Sequence, residues 1–346
     1  MIVGLLLLNG AVTRVPLIID TDIGCGGCRD VDDVAAICLA NALVDRKEVD
    51  LLAVVQNTAP PPGAGVISVL NHFYGHDRIA IGAYRGKDVR DETALPYTYD
   101  LVRHWPSPIK NTSQVPSGVG LYRKVLAAQA DGSVVISSIG LLTNLASLLK
   151  SSPDAHSSLP GSALVASKVR ALWVMGGRYP TSTVGPFGCE CNFCGAFHGG
   201  LDHAAAAAAS QYVVSHLPSE VKVVYSGFEV GYNVQAGSPL AKCASLANPC
   251  RQAFIDYLGP GRDHMSWDPL TTLAAVRGPA AVGCSECDAA ADCNGVNSVD
   301  GGGNNTWHRS ATSASAPRTN QTYLLLHNAS KAASAINELL CQPPSS

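Results

Sequence analysis

Short apolar runs alternate with longer helical stretches along most of the chain. VPLIID at residues 15–20 is followed by DDVAAICLANALV, VDLLAVVQN by GVISVLNHFYG, SVVISSIG by LLTNLASLLK, VRALWVMGG by DHAAAAAASQYVV, and VKVVYSG by later helical segments. Strands that are apolar on both faces, separated by helix-length segments, mark a parallel sheet covered on both sides. The pattern predicts an α/β fold, an open, mostly parallel sheet flanked by helices, in a single domain over residues 16–346 that closes with the strand TYLLLH and the helix SKAASAINELL. No internal repeat stands out. The stretch from about Gly283 to Asn320, rich in Cys, Gly, Asn and Ser, reads as a surface loop partly pinned by disulfides.

Composition narrows the function. At 346 residues, 47% hydrophobic and 15% charged, the chain is long enough for a large core. A formal net charge of -3 gives no general pull toward nucleic acid or anionic lipid, so a small-molecule ligand is expected. The opening MIVGLLLLNGAV is shorter than the roughly 20 residues a spanning helix needs. Residues 1–15 read either as a signal-type hydrophobic leader, although a basic n-region and a clear cleavage site are lacking, or as a segment feeding the first strand. The 12 cysteines and the N-x-[ST] sequons at Asn111, Asn304, Asn320 and Asn328 favour a secreted or secretory-pathway glycoprotein with disulfides over a cytoplasmic protein.

The chemistry is concentrated in DTDIGCGGCRDVDD, residues 20–33, where the first strand ends. Alternation puts Asp20 and Asp22 on one side of the chain, at the strand end where ligand crevices of open α/β sheets lie. Asp32 and Asp33 open the next helix, where the macrodipole offers each about 0.3–1 kcal/mol. That is too little to offset several anions converging in a partly buried pocket. A divalent cation resolves the conflict, and all-oxygen donors select a hard ion, Ca2+ or Mg2+. A hydrophobic strand followed by DxD also opens the haloacid-dehalogenase-type Mg2+-dependent phosphatases, in which the first Asp is the nucleophile and SVVISSIG would supply the second motif.

Further motifs decide between these readings. DTDIG followed, after an insertion, by DDVAA resembles the N-terminal motif of the nucleoside hydrolases of the inosine-uridine-preferring type. SIGLLTNLA at 138–146, VMGG at 174–177 with ECNF at 190–193, SGFEVG at 226–231 and SWDPLTTLAAV at 266–276 resemble later segments of that family, in family order. The resemblance implies a nucleoside hydrolase-like fold with a Rossmann-like core and Ca2+-dependent cleavage of the N-glycosidic bond of ribonucleosides to base and ribose. It implies that Asp22 binds Ca2+ and acts as general base, that Asp33, the Ile139 carbonyl and Asp268 complete the metal site, and that Asp32, Asn57, Glu190 and Asn192 hold the sugar. Asp20 would brace the others. Carboxylates suit this chemistry because the transition state carries positive charge on the ribose. Family members commonly form homodimers or homotetramers. A non-catalytic nucleoside-binding or sugar-binding protein on the same scaffold is the other reading.

Two departures stand out. Where the best-known branch has His before the last metal-binding Asp, this chain has Trp267, as in purine-preferring members thought to activate the base by stacking. This implies a purine preference, with Tyr84 and Trp105 as candidate second faces and His264 as a substitute acid. The second departure is cysteine: CGGC interrupts the first motif, and CECNFC brackets Glu190 and Asn192. If the carry-over holds, both lie over one pocket, where cross-links between them or a thiolate zinc site can form. Cys243 with Cys250, and Cys284, Cys287 and Cys293, read as loop staples, and Cys38 reads as a buried free thiol.

Overall fold

The computed structural model describes residues 14–25, 28–87, 93–181, 188–195, 202–287, 293–310 and 319–345. Most of the hydrophobic leader reading therefore lies outside the described residues, and the first strand, β1, begins at Val15.

The strands are β1 (Val15–Thr21), β2 (Val49–Gln56), β3 (Ala80–Ala83), β4 (Val134–Ile139), β5 (Val169–Met175), β6 (Lys222–Ser226), β7 (Gln235–Ala236), β8 (His264–Met265), β9 (Cys284–Cys287), β10 (Gly295–Val299), β11 (Asn305–Arg309) and β12 (Gln321–Leu326). Eight of them form the central sheet in the order β3-β2-β1-β4-β5-β6-β12-β9. All its pairings are parallel except β12 with β9. Strand alternation explains the two-sided core. Leu17, Ile19, Val135, Trp173 and Met175 face one hydrophobic cluster, while Ile18, Val134, Ile136, Leu172 and Val174 face the other.

The chain runs outward from β1 in both directions, so the crevice between β1 and β4 is the topological switch point of the sheet. Thr21 is level with Gln56 of β2 and with Ile139 of β4. Asp22, Asn57 and Gly140 therefore leave their strands side by side. A Cβ on Gly140 would fall 2.5 Å from the Asp22 backbone nitrogen and 2.7 Å from the Asn57 Nδ2, so only glycine fits between these two loops.

Three sequence readings change. The stretch from Gly283 to Asn320 contains β9 and the antiparallel hairpin β10–β11. Its turn-forming composition hides an anchor: the buried Trp307 ring packs edge-on against Tyr323 and Tyr179, which docks the hairpin on the sheet. Cys38 is not a free thiol but bonds Cys250, joining the helices Asp32–Asp45 and Pro249–Leu258 in the core. Cys243 accordingly pairs with Cys341 rather than Cys250, and Cys287 with Cys293, while Cys284 is a buried thiol.

Replacing both Cys38 and Cys250 by Ser is expected to lower the unfolding free energy by about 2–4 kcal/mol. Urea unfolding without reductant measures this, and an unchanged midpoint would contradict the cross-link.

Candidate active site

At the carboxyl ends of the central strands lies a cleft of about 170 Å³. Asp22, Asp30, Ile139, Met175, Glu190, Asn192, Phe228, Trp267 and Asp268 line it, with Cys28, Arg29 and Cys191. Six of the residues named from the sequence thus meet there: Asp22, Ile139, Glu190, Asn192, Trp267 and Asp268. Asp32 and Asp33 are 1% and 2% exposed and do not form its surface, and Asp20 and Asn57 are fully buried.

Asp20 is held by three donors: Asn57 Nδ2 at 2.6 Å, Tyr122 Oη at 2.7 Å and Asn144 Nδ2 at 3.4 Å. The same Asn144 donates to the Gln56 carbonyl, and Thr143 Oγ1 donates to the Asn57 carbonyl at 2.6 Å. The LLTN segment therefore clamps the loop after β2 beside β1. A carboxylate so engaged and enclosed is no nucleophile, which removes the structural basis of the phosphatase reading.

The other acids are poorly compensated. Burial, then the like charge of Asp33, pushes the Asp22 carboxyl well above the usual carboxylate range. Burial raises Asp33 to about 8, with Asp32 adding to it, while hydrogen bonds from Thr21 Oγ1 and with Asp30 and Asp268 pull the other way. Asp32 rises to about 6 because of burial, moderated by the Asp268 backbone N–H that donates to it at 3.0 Å. Burial and the surrounding aspartates also raise Asp30 and Asp268. Asp22 Oδ2 and Asp32 Oδ1 are buried with no hydrogen-bond partner. Buried lone pairs left in this state cost about 1–3 kcal/mol each or more, so the donor set fits a hard cation. The Cys25 and Cys28 sulfurs also lie within 4.8 Å of an Asp22 oxygen. Cys28 is bonded to Cys191, however, so its sulfur is no thiolate donor.

Glu190 caps the turn Cys191–Cys194. Its two oxygens accept from the backbone N–H groups of Asn192 at 3.0 Å and Gly177 at 2.9 Å, and burial raises its pKa to about 7. Asn192 Nδ2 donates to the Met175 carbonyl at 3.2 Å, which fixes the amide against the end of β5. The predicted link between the two cysteine insertions is present as Cys28–Cys191, and Cys189 pairs with Cys194.

Trp267 opens the helix Trp267–Arg277, half-buried, with its Nε1 donating to the Phe228 carbonyl at 2.8 Å. Tyr84 and Trp105 do not face it. Tyr84 follows β3, several strands away across the sheet, and packs beside Cys25 and Leu141. The Trp105 indole N–H bonds the Ala247 carbonyl. The second ring is Phe228, 5.2 Å from Trp267 between centroids and inclined by 36°. SGFEVG marked this segment in the sequence, but nothing in it singled out the Phe. His264 touches Trp267 edge-on at 6.0 Å and does not line the cleft; burial lowers its pKa to about 4, so its ring is neutral at pH 7.

Arg178 completes this wall, its guanidinium 4.2 Å from the centre of the Phe228 ring. The backbone of Arg178 is held from both sides by the buried Asn305: Arg178 N–H donates to Asn305 Oδ1 at 2.8 Å, and Asn305 Nδ2 donates to the Arg178 carbonyl at 2.7 Å. The hairpin β10–β11 thus reaches the aromatic wall through one residue.

No family model and no curated protein matches the chain. Solved structures do. A plant nucleoside hydrolase is 18% identical over 95% of this chain and 100% of its own, with a TM-score of 0.64. An inosine-guanosine nucleoside hydrolase is 18% identical over 94% and 99%, at 0.66. A type III effector protein, XopQ, solved in complex with adenosine diphosphate ribose, is 14% identical over 96% and 95%, at 0.65. What the chain shares with these proteins over nearly its whole length is their fold, the mixed α/β architecture of the nucleoside hydrolases.

Proposed function

We propose that the protein is a Ca2+-dependent hydrolase of ribonucleosides, cleaving the N-glycosidic bond to release base and ribose, with a preference for purines. The observation that carries this reading is the crowd of buried carboxyl groups at the switch point, two of them with an oxygen that no protein donor satisfies. The fold it shares with solved nucleoside hydrolases supports the same reading.

In this reading Asp22, Asp33, Asp268 and the Ile139 carbonyl hold the ion. Bound Ca2+ would supply the positive charge that offsets the acids, orders the ribose diol and polarises a water. Asp22 would serve as the base that takes a proton from the attacking water. Asp30 at the cleft surface, with the buried Asp32 hydrogen-bonded to it, adds negative charge toward the sugar, which favours the cationic transition state over the neutral substrate. Glu190 and Asn192 grip the ribose, and Asn57, beside Asp22 and hydrogen-bonded to Asp20, supports the sugar site from the side of the acids. Trp267, backed by Phe228, covers the base, and stacking makes a purine the better substrate. Five disulfides among the described residues support a secreted or lumenal protein. No described helix is long and apolar enough to cross a membrane.

A non-catalytic ligand-binding protein is the second reading. The 170 Å³ cleft is smaller than the roughly 300 Å³ at which ligand pockets usually begin, with the Cys28–Cys191 link at its rim. Incubation with inosine, adenosine, guanosine, uridine and cytidine, followed by a reducing-sugar assay, separates the two. Ribose release that stops on chelation supports the hydrolase, and saturable binding without release supports the binder. Asp22→Asn is expected to lower kcat by about 100- to 10,000-fold.

Trp267→Ala is expected to lower kcat/KM for purine nucleosides by about tenfold more than for pyrimidine nucleosides. Equal losses for both classes would remove the stacking role.

The acids also set a pH dependence for the chelated protein. Asp20 and Glu190 titrate near 7 and Asp33 near 8 in the fold, against about 4 in an unfolded chain. Between these values the folded state binds more protons, so stability falls as pH rises through about 7–8. In chelator, the melting temperature is expected to drop from about pH 5 to about pH 8, and excess Ca2+ to reverse the drop. A melting temperature at high pH that ignores Ca2+ would count against the ion.

A further inference from the structure

The CGGC insertion has no part in the proposed hydrolysis, yet it helps to bring three sulfur atoms together at the rim of the cleft. Cys28 is bonded to Cys191, and both line the cleft. Cys25 carries a thiol and is buried against Leu141 and Ala206. Its Sγ lies within 4.8 Å of the Cys28 Sγ. A thiol beside a disulfide sulfur is the arrangement from which exchange proceeds.

We propose that Cys25, Cys28 and Cys191 form an intramolecular thiol–disulfide exchange site that gives the cleft rim two covalent forms. The Cys25 thiol gives up its proton to water and its sulfur attacks the Cys28 Sγ. A Cys25–Cys28 bond forms as the Cys28–Cys191 bond breaks. Cys191 leaves as a thiolate and takes a proton from water. One thiol and one disulfide stand on each side of the reaction, so no oxidant or reductant is consumed.

The two forms tie different parts together. Cys28–Cys191 joins residues 163 apart in sequence. It fastens the loop that carries Asp22 and Asp30 to the turn that carries Glu190 and Asn192. A Cys25–Cys28 bond lies wholly within the first of these loops. Among the described disulfides the turn then keeps only its own Cys189–Cys194 bridge, beside the hydrogen bonds that join Glu190 to Gly177 and Asn192 to Met175. The two walls of the cleft are then no longer covalently tied to each other, so the space between them can widen for a ligand larger than the linked form admits. The exchange stands apart from the identity of that ligand.

Treating the full-length oxidised protein with N-ethylmaleimide in the absence of reductant, then digesting it at acidic pH and mapping the peptides by mass spectrometry, tests the site. Label is expected to build up on Cys191 together with a Cys25–Cys28 linked peptide, because alkylation of the leaving thiol drains the equilibrium. In the folded Cys25→Ser variant, labelling of Cys191 is expected to fall by about tenfold or more, since the attacking sulfur is gone. Label on Cys25 with Cys28–Cys191 intact, or no label on Cys191, would overturn the proposal. Should Cys25→Ser fail to fold, Cys191→Ser serves instead: it is expected to contain the Cys25–Cys28 bond, and finding both as thiols after folding in air would equally refute it.

Discussion

Burial of like charge at the point where the sheet reverses direction is the constraint on which the rest of the structure depends. The DTD triplet meets that constraint in two ways. Asp20 is fully enclosed, and hydrogen bonds from Asn57, Tyr122 and Asn144 offset part of the cost of that burial while fixing the loops around it. Asp22, two residues on, sits among Asp32, Asp33 and Glu190 with one oxygen unpaired. The first acid stabilises a frame, and the second is held by that frame in a state it would not adopt in water. Such a division suits a site whose remaining bonds come from a ligand.

The fold was largely legible in the sequence because its central strands are buried on both faces. Continuous apolar runs such as VPLII and SVVIS can form little else when helix-length segments separate them. The acidic cluster was legible too, since Asp20, Asp22, Asp32 and Asp33 lie within one segment, and the strand-end rule places them. What it takes a structure to see is long-range pairing. Cys38 lies in an apolar helix, and only the approach of the helix bearing Cys250 shows that it is cross-linked. Phe228 and Arg178 acquire a role only through the faces they turn toward Trp267 and toward each other. Asp30 is a residue of the quoted motif without an assigned part, and the turn of the chain brings it onto the cleft surface.

The misread hairpin shows the limit of composition as a guide. Gly, Asn and Ser suggest loops because they rarely fill a core, but one Trp at the right register supplies the apolar area that a two-stranded ribbon needs to dock. Trp307, packed edge-on into the cluster of Tyr179, Tyr225 and Tyr323, is that residue here.

Asn305 gives this hairpin a significance beyond its own stability. Both polar atoms of its side chain are spent on the backbone of Arg178, whose guanidinium in turn covers Phe228. A ribbon at the periphery has become a strut of the inner wall. The length and register of this peripheral excursion are therefore not free to drift as those of an ordinary surface insertion are, because a slip of one residue would turn Asn305 away and leave the aromatic wall without its backing.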